Sequence, residues 1–266
     1  AISSFPLLVP TLTGGFLFII DCRGNISAMS FKVKYDNIST ALMTIYQRLY
    51  HYFGPRHWWP AETPFEVIVG AILTQNVTWK NVEKAINNLK TAELLSPEAL
   101  YTADPSVIET HIRPAGFYRT KAKKLKAFVH HIWEKYDGSL TNMFSQPLKN
   151  LRKELLSIYG IGPETADAIL CYAGNYPIMV MDAYTLRVFS RLGLLSPNAN
   201  YEEMQQLFMD NLPHDHYLFN EYHALIDALA NKICRKNKPH CNLCPLNDLC
   251  AWPKEEKENK KAEKEA

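Results

Sequence analysis

The stretch LLSIYGIGPETADAILCYAGNYPIMVMDAYTLRVFSRLGL, from Leu155 to Leu194, decides how this chain folds. It predicts two helices joined by a turn over residues 160–162, because Gly160 and Gly162 can reach backbone conformations that other residues avoid. Pro163 follows at the first position of the second helix, where its missing N–H forfeits no hydrogen bond. Such a turn points backbone N–H groups outward, which suits phosphate binding. Taken alone, the pattern also fits an ordinary interhelical turn.

Two carboxylates in this stretch lie at helix starts. Glu164 comes directly after Pro163, where the positive end of the helix dipole favours a negative charge. Asp182 begins the next amphipathic segment, and an N-cap is its simplest role. The dipole also keeps Asp182 ionised, which is the state that an electrostatic catalyst requires. The apolar run over residues 177–181 could form a strand, but it stands alone.

Beyond residue 36 the sequence has helical periodicity almost throughout. In ISTALMTIYQRLYHYF, for example, apolar residues recur at three- and four-residue steps. Short links rich in Pro, Gly, Asn or Ser separate these segments, and no alternating run is long enough to indicate a sheet. The sequence therefore predicts an all-α protein of about ten helices.

Four of the six cysteines fall in the segment ICRKNKPHCNLCPLNDLC, with the spacing C-x6-C-x2-C-x5-C. Four thiolates so close in sequence suit a tetrahedral sulfur site for iron–sulfur or zinc. Two disulfides would need an oxidising compartment, and a pair of zinc knuckles would show two C-x2-C hooks instead of one. The spacing favours a [4Fe–4S] cluster and leaves zinc open. The ligands would be Cys234, Cys241, Cys244 and Cys250, whereas Cys22 and Cys171 are isolated.

Composition narrows the function less than the motifs do. The 266 residues, 47% of them hydrophobic, suffice for one large domain or two modest ones. A net charge of +2 means that an anionic partner would have to meet a local basic patch. Proline and glycine interrupt the apolar N-terminal region, which also lacks the basic flank of a signal peptide. We therefore expect a cytoplasmic protein without a membrane segment.

The glycine hairpin, the downstream aspartate and the terminal cysteine loop, in that order, resemble the helix-hairpin-helix DNA glycosylases of the endonuclease III superfamily. The resemblance covers roughly residues 36–252 and implies two helical lobes with a DNA-binding cleft between them. It implies a monomer that acts on double-stranded DNA containing damaged bases, with a [4Fe–4S] cluster in one lobe.

The resemblance also suggests how the chain is divided. The cluster lobe would join residues 29–55 to residues 175–252, and a six-helix barrel that ends in the hairpin would occupy residues 56–174. We expect residues 1–28 to be an extension outside the fold. The balanced lysines and glutamates of residues 253–266 indicate a charged, disordered tail.

The family's chemistry assigns roles to both carboxylates. Asp182 matches the catalytic aspartate, which stabilises the positive charge that develops on the sugar as the base leaves. Bifunctional members carry a hairpin lysine that forms a Schiff base, and Glu164 stands at the matching position. The resemblance therefore implies a monofunctional hydrolase without efficient lyase activity.

The segments HWWPAETPFEVIVGAILTQNVTWKNV and IRPAGFYRTKAKKL look like the 3-methyladenine glycosylase III branch. N-alkylated purines carry positive charge, and aromatic faces attract cations by ~0.5–2 kcal/mol. Stacking of about 1–3 kcal/mol per base can offset a flipping cost of a few kcal/mol. The resemblance places in the base pocket Trp58, Trp59, Pro60, Trp79 and Glu164, although Trp58 is explained equally well as a core residue.

The resemblance also supplies candidate DNA contacts. Gln75 matches the position that fills the gap left by the flipped base, and Phe117 matches the position that intercalates on the opposite strand. Phosphate contacts are expected from Gly160, Gly162, Arg235, Lys236 and Lys238. A further basic run could meet phosphates or form a solvated helix face, and it comprises Arg119, Lys121, Lys123, Lys124 and Lys126.

Three functions follow from these patterns. The first is a nucleoid-associated glycosylase for alkylated purines, with 3-methyladenine leading. The second is an endonuclease III-like enzyme for oxidised pyrimidines or mismatches. The third is a non-enzymatic iron–sulfur DNA-binding module, which would need neither Asp182 nor an aromatic pocket.

Overall fold

The computed structural model describes residues 37–252 and the backbone of two short strands before them. The strands, Leu17–Ile20 (β1) and Ile26–Met29 (β2), pair antiparallel with Leu17 opposite Met29. The sequence pattern does not predict this pair, because each run has only four residues. The rest of the predicted extension, Cys22 and the charged tail lie outside the described residues.

Twelve α-helices make up the described part of the chain from residue 37 onwards, which confirms the all-α prediction. Ten of them match the predicted segments. The two additional helices, Pro97–Thr102 and Leu140–Phe144, bury one apolar residue each and are too short to show a period. The helices are Ile38–Phe53 (α1), Pro64–Leu73 (α2), Trp79–Thr91 (α3), Pro97–Thr102 (α4), Pro105–His111 (α5), Tyr118–Tyr136 (α6), Leu140–Phe144 (α7), Leu148–Ser157 (α8), Pro163–Ala168 (α9), Ala183–Arg191 (α10), Tyr201–Met209 (α11) and His216–Lys232 (α12).

Local chemistry sets where many of these helices begin. Proline occupies the first position of α2, α4, α5 and α9, where no backbone hydrogen bond is lost. Eight helices start behind a side chain that accepts a hydrogen bond from the first turn. These capping residues are Asn37, Thr63, Ser96, Asp104, Ser139, Asp182, Asn200 and Asp215.

One continuous apolar core runs through the described helices. Helix α1 packs on α12 although they lie at opposite ends of the chain, and the Tyr222 hydroxyl donates to the Leu42 carbonyl at 2.8 Å. The division into two lobes stays a prediction. None of the helices in the described ranges has the length and apolar character needed to span a bilayer.

A fully buried carboxylate, Asp167 in α9, ties several helices together. Arg152 in α8 donates to both of its oxygens, at 2.7 and 3.0 Å, and Tyr201 and Gln205 in α11 each donate at 2.8 Å. Gln205 also donates to the Met179 carbonyl at 2.8 Å. This bond holds residues 177–181, the possible strand of the sequence analysis, in an irregular conformation between α9 and α10.

Replacement of Arg152 by Met should lower the free energy of unfolding by about 3 kcal/mol or more, because it leaves the Asp167 charge buried without its partner. Chemical denaturation measures this change. Lys153→Met is the matched control, since Lys153 is exposed on the same helix and should change stability little. Equal stabilities of the two variants would contradict the role of the network.

The turn between α8 and α9 depends on one glycine more than on the other. Gly160 has a φ of +81°, and a Cβ there would come within 2.3 Å of the Lys124 side chain. Gly162 has a φ of −92°, and a Cβ there would meet nothing within 4 Å. The left-handed backbone and the covering lysine therefore require glycine only at position 160.

Gly160→Ala should destabilise the protein by about 1–2 kcal/mol, the penalty for a Cβ in the left-handed region, and it should displace Lys124 as well. Gly162→Ala is the control and should leave stability unchanged or raise it by up to about 1 kcal/mol. Thermal melting of both variants tests the difference. A Gly162 variant as unstable as the Gly160 variant would refute this account of the turn.

Candidate active site and cysteine loop

Asp182 caps α10 and directs its two carboxylate oxygens to different neighbours. Oδ1 accepts from the backbone N–H and the hydroxyl of Thr185, at 2.7 and 2.9 Å. Oδ2 lies 3.6 Å from Nε2 of His223. Burial would raise the pKa of Asp182, but His223 and Thr185 outweigh it and hold the pKa below its ordinary value. Asp182 is therefore an ionised carboxylate in a largely enclosed site.

His223 and Tyr172 belong to this site, although sequence reasoning missed both. His223 projects from α12, and its Nδ1 lies 2.6 Å from the Tyr172 hydroxyl. Tyr172 lies in the π-helical segment Ile169–Ala173 that continues α9. No local signal marks either residue, because each contact joins elements that are far apart in the chain. Their pairing with Asp182 is visible only in the folded protein.

The predicted pocket tryptophans form one aromatic cluster that reaches this site. The ring centroids of Trp59 and Trp79 are 5.1 Å apart, as are those of Trp58 and Trp59. On its other side Trp59 lies 5.5 Å from Tyr172. Both indole N–H groups of Trp58 and Trp59 are buried without a hydrogen-bond partner. Pro60, which the resemblance also places in the base pocket, is exposed.

Glu164 is exposed in the first turn of α9 and faces the same site. Although much of the residue is open to solvent, nearby protein atoms partly desolvate its carboxyl group. This desolvation, and then the charge of Asp182, raise the pKa of Glu164 above its ordinary value. The structure thus brings Glu164, Asp182 and His223 within electrostatic range of one another.

The candidate DNA-wedge residues differ in their surroundings. Phe117 is 73% exposed in a left-handed conformation before α6, as a residue that intercalates would need to be. The Gln75 amide instead donates to the Gly160 carbonyl at 3.1 Å and to the Thr165 hydroxyl at 2.9 Å, and it accepts from Lys124. In this conformation Gln75 braces the hairpin, and filling a gap in DNA would require it to leave these partners.

The basic run beginning at Arg119 is only partly available to phosphates. Lys121 is buried and donates to the carbonyls of Leu73 and Ala115, at 2.8 and 2.7 Å. Burial lowers its pKa to about 8. Lys126 caps the end of α4 by donating to the carbonyls of Leu100, Tyr101 and Ala103. The ammonium groups of both lysines bind backbone carbonyls of the protein, so these residues neither contact phosphates nor form a solvated helix face in this conformation.

The four cysteines of the C-terminal loop line one small cavity of about 20 Å³. The backbone N–H groups of Leu246 and Trp252 act to lower the pKa of the Cys244 and Cys250 thiols. Burial nevertheless dominates and raises the pKa of both thiols to about 11. The predicted phosphate contacts of this loop, Arg235, Lys236 and Lys238, are all exposed.

Arg191, the last residue of α10, organises this loop and was also missed from the sequence. Its guanidinium lies 3.3 Å from the Cys234 sulfur and donates to the Arg235 and Lys236 carbonyls at 2.8 and 3.0 Å. Its own carbonyl accepts from the Cys250 sulfur at 3.2 Å. The helix that Asp182 begins therefore ends on the cysteine loop.

Residues 69–214 match the HhH-GPD superfamily of base excision DNA repair proteins. A Methanocaldococcus jannaschii protein provisionally named as a DNA repair glycosylase is 48% identical over 217 residues, which cover 81% of this chain and 98% of that protein. Endonuclease III of Sulfolobus acidocaldarius is 31% identical over 189 residues, covering 71% of this chain and 82% of its own.

Solved structures share the fold. The Helicobacter pylori 3-methyladenine DNA glycosylase bound to 1,N6-ethenoadenine aligns with a TM-score of 0.63 and 29% identity, covering 73% of this chain and 96% of that one. An endonuclease III trapped as a covalent DNA intermediate aligns with a TM-score of 0.71 and 23% identity, covering 82% and 98% of the two chains. The chain belongs to the HhH-GPD superfamily of base excision DNA repair proteins and is a DNA glycosylase of that superfamily.

Proposed function

We propose that the protein is a monofunctional glycosylase that hydrolyses the N-glycosidic bond of alkylated purines in duplex DNA, with 3-methyladenine as the leading substrate. The observation that carries this proposal is the row of side chains from Trp79 through Trp59, Tyr172 and His223 to Asp182. It sets electron-rich rings, which attract a cationic base, beside a carboxylate that would stabilise a cationic sugar. The similarity to a 3-methyladenine glycosylase supports the same substrate class.

Base entry requires the aromatic cluster to open. The Trp59 and Trp79 rings meet edge to face at an interplanar angle of 83°, so no base fits between them in this conformation. Such a ring pair contributes about 0.5–1.5 kcal/mol beyond its buried area. Stacking of a flipped base contributes about 1–3 kcal/mol, and a cationic base gains a further cation–π attraction. Stacking can therefore replace the ring pair and offset part of the cost of flipping the base, and a cationic base gains most.

Asp182 would act on the sugar. As the bond to the base breaks, positive charge builds on the sugar ring, and the ionised carboxylate stabilises it. The enclosure of Asp182 strengthens this interaction, because water screens it less than in solution. Water then adds to the same sugar carbon, and Asp182 can orient that water or accept its proton. A purine that is already cationic leaves without needing a proton from the protein.

Two observations support a monofunctional reaction. A Schiff base needs an amine, and the hairpin position that matches the family's lysine carries Glu164. The amine of Lys124, which covers Gly160, is engaged elsewhere, because it donates a hydrogen bond to the side-chain oxygen of Gln75. The strand should therefore stay uncut after the base is released.

We also propose a [4Fe–4S] cluster held by Cys234, Cys241, Cys244 and Cys250. All four cysteine residues line one cavity, although the described residues contain no group of three His, Cys, Asp or Glu side chains that could hold a single ion. The support for a cluster is the C-x6-C-x2-C-x5-C spacing, with a single C-x2-C hook. Its part would be to hold the loop and its basic residues toward the DNA backbone.

The second candidate is an endonuclease III-like activity on oxidised pyrimidines or mismatches. The identity with the Sulfolobus endonuclease III favours it, whereas Glu164 and the tryptophan cluster favour alkylated purines. A binding module without activity is disfavoured, because it would not need an ionised carboxylate in an enclosed site.

The first test is release of free 3-methyladenine from methylated duplex DNA under single-turnover conditions. We expect release without strand cleavage, and a rate lower by about 100-fold or more in Asp182→Asn, because the charge opposite the sugar is lost. Asp215→Asn is the matched control, since Asp215 is an exposed N-cap of the same type, and it should keep the rate.

Other outcomes of this assay are equally informative. Release from thymine glycol or G·T duplexes, with methylated DNA untouched, would replace the proposed substrate by the second candidate. If the protein binds DNA but releases no base from any lesion, only the non-enzymatic DNA-binding module would remain as a function. Covalent trapping on abasic DNA by borohydride would refute the monofunctional assignment.

Purified protein should contain about four iron atoms and a similar amount of acid-labile sulfide per chain. Cys241→Ser should lose iron, and it should lower stability or DNA affinity more than it slows the base-release step itself. Cys171→Ala, which removes a cysteine of the helical core, should keep its iron. One zinc ion per chain, or full iron retention by Cys241→Ser, would contradict the assignment.

A further inference from the structure

His223 lies where it can control Asp182. Its side chain is 12% exposed and bridges two groups, with Nδ1 at 2.6 Å from the Tyr172 hydroxyl and Nε2 at 3.6 Å from Asp182 Oδ2. Nε2 is buried and has no hydrogen-bond partner at the present distance. A shift of a few tenths of an ångström would place it within hydrogen-bonding distance of the carboxylate.

The contact with the Tyr172 hydroxyl can set which imidazole nitrogen carries the proton. Burial raises the pKa of Tyr172 well above its ordinary value, so its hydroxyl stays protonated and can donate. Donation to Nδ1 leaves the proton of a neutral imidazole on Nε2, the nitrogen that faces Asp182. With that tautomer the contacts would run from the Tyr172 hydroxyl through the imidazole toward the carboxylate.

The two oxygens of Asp182 then have separate partners. Thr185 holds Oδ1 with two hydrogen bonds and fixes the carboxylate to α10. Oδ2 has His223 as its neighbour on the opposite side, so the imidazole can set the rotation of the carboxylate about its last bond.

We propose that His223, oriented by Tyr172, is a positioning residue for Asp182: neutral, it donates from Nε2 to Oδ2 and aligns the carboxylate, and protonated, it cancels the carboxylate's charge and slows hydrolysis. The effect on the reaction rests on the proposed glycosylase function. The side-chain relay itself does not.

The acidic groups around His223 favour its protonated form. Burial alone would lower its pKa, but Asp182, Asp227 in α12 and Glu164 in α9 outweigh it and raise the pKa above the ordinary 6.5. The positive charge of Arg56, which follows α1, favours the ionised form of Asp227. Because an imidazolium repels a cationic sugar, the rate should rise with pH through the pKa of His223. A permanently cationic methylpurine does not titrate with it.

The relay is tested first without substrate, by nitrogen NMR of histidine-labelled full-length protein. We expect the Nε2-protonated tautomer in the neutral state, a His223 pKa that falls in Asp182→Asn, and a changed tautomer balance in Tyr172→Phe. A neutral Nδ1–H form, or a pKa unmoved by Asp182→Asn, would overturn the relay whatever the substrate is.

The functional arm is a single-turnover pH profile at saturating enzyme. His223→Ala should slow base release by about 100-fold through misalignment of Asp182. His223→Gln keeps a hydrogen-bond donor that does not titrate. Its rate of base release should therefore fall less, by about 10-fold, and should no longer decrease at acidic pH. His216→Gln, at an exposed position of the same helix, is the control and should match the wild type.

These outcomes separate the two proposals. Wild-type protein that releases no base refutes the glycosylase function, while NMR still judges the relay. Active, folded His223 variants with the wild-type rate and pH profile refute the positioning role and leave the glycosylase function standing.

Discussion

The buried charge of Asp167 is the constraint on which the placement of the site depends. A carboxylate out of contact with water is stable only while its partners stay in place, so the fold must keep Arg152, Tyr201 and Gln205 beside Asp167. Through the Met179 carbonyl this network also fixes the irregular segment that delivers Asp182 to the start of α10. The hairpin and the candidate catalytic group thus share one anchor.

Helix α10 connects the chemistry to the cysteine loop. Its nine residues span about 13 Å. Asp182 caps one end, and Arg191 at the other end forms hydrogen bonds with the cysteine loop. In the proposed division of labour, the loop supports the fold and presents basic residues, and the reaction takes place at the far end of the helix. The aromatic cluster and the acidic groups around Asp182 both suit a substrate that is cationic before and during bond cleavage.

Sequence reasoning succeeded where the signal is local and went wrong where packing decides. The glycine turn and the cap at Asp182 are encoded within a few residues, and both are present in the fold. Lys121 and Lys126 look like phosphate ligands in a basic run, yet their ammonium groups donate hydrogen bonds to carbonyls at the ends of other helices. Which carbonyls remain without partners depends on how the helices meet, and no run of residues reveals that.

The sequence by itself determined the helical class, the hairpin, the candidate catalytic Asp182 and the spacing of the four cysteines, because each depends on residues that are near neighbours in the chain. Only the tertiary structure decided that His223 and Tyr172 join Asp182, and that Arg191 holds the cysteine loop. These contacts link helices separated by tens of residues. Their geometry follows from the shared core and the buried Asp167 network, which a linear pattern does not contain.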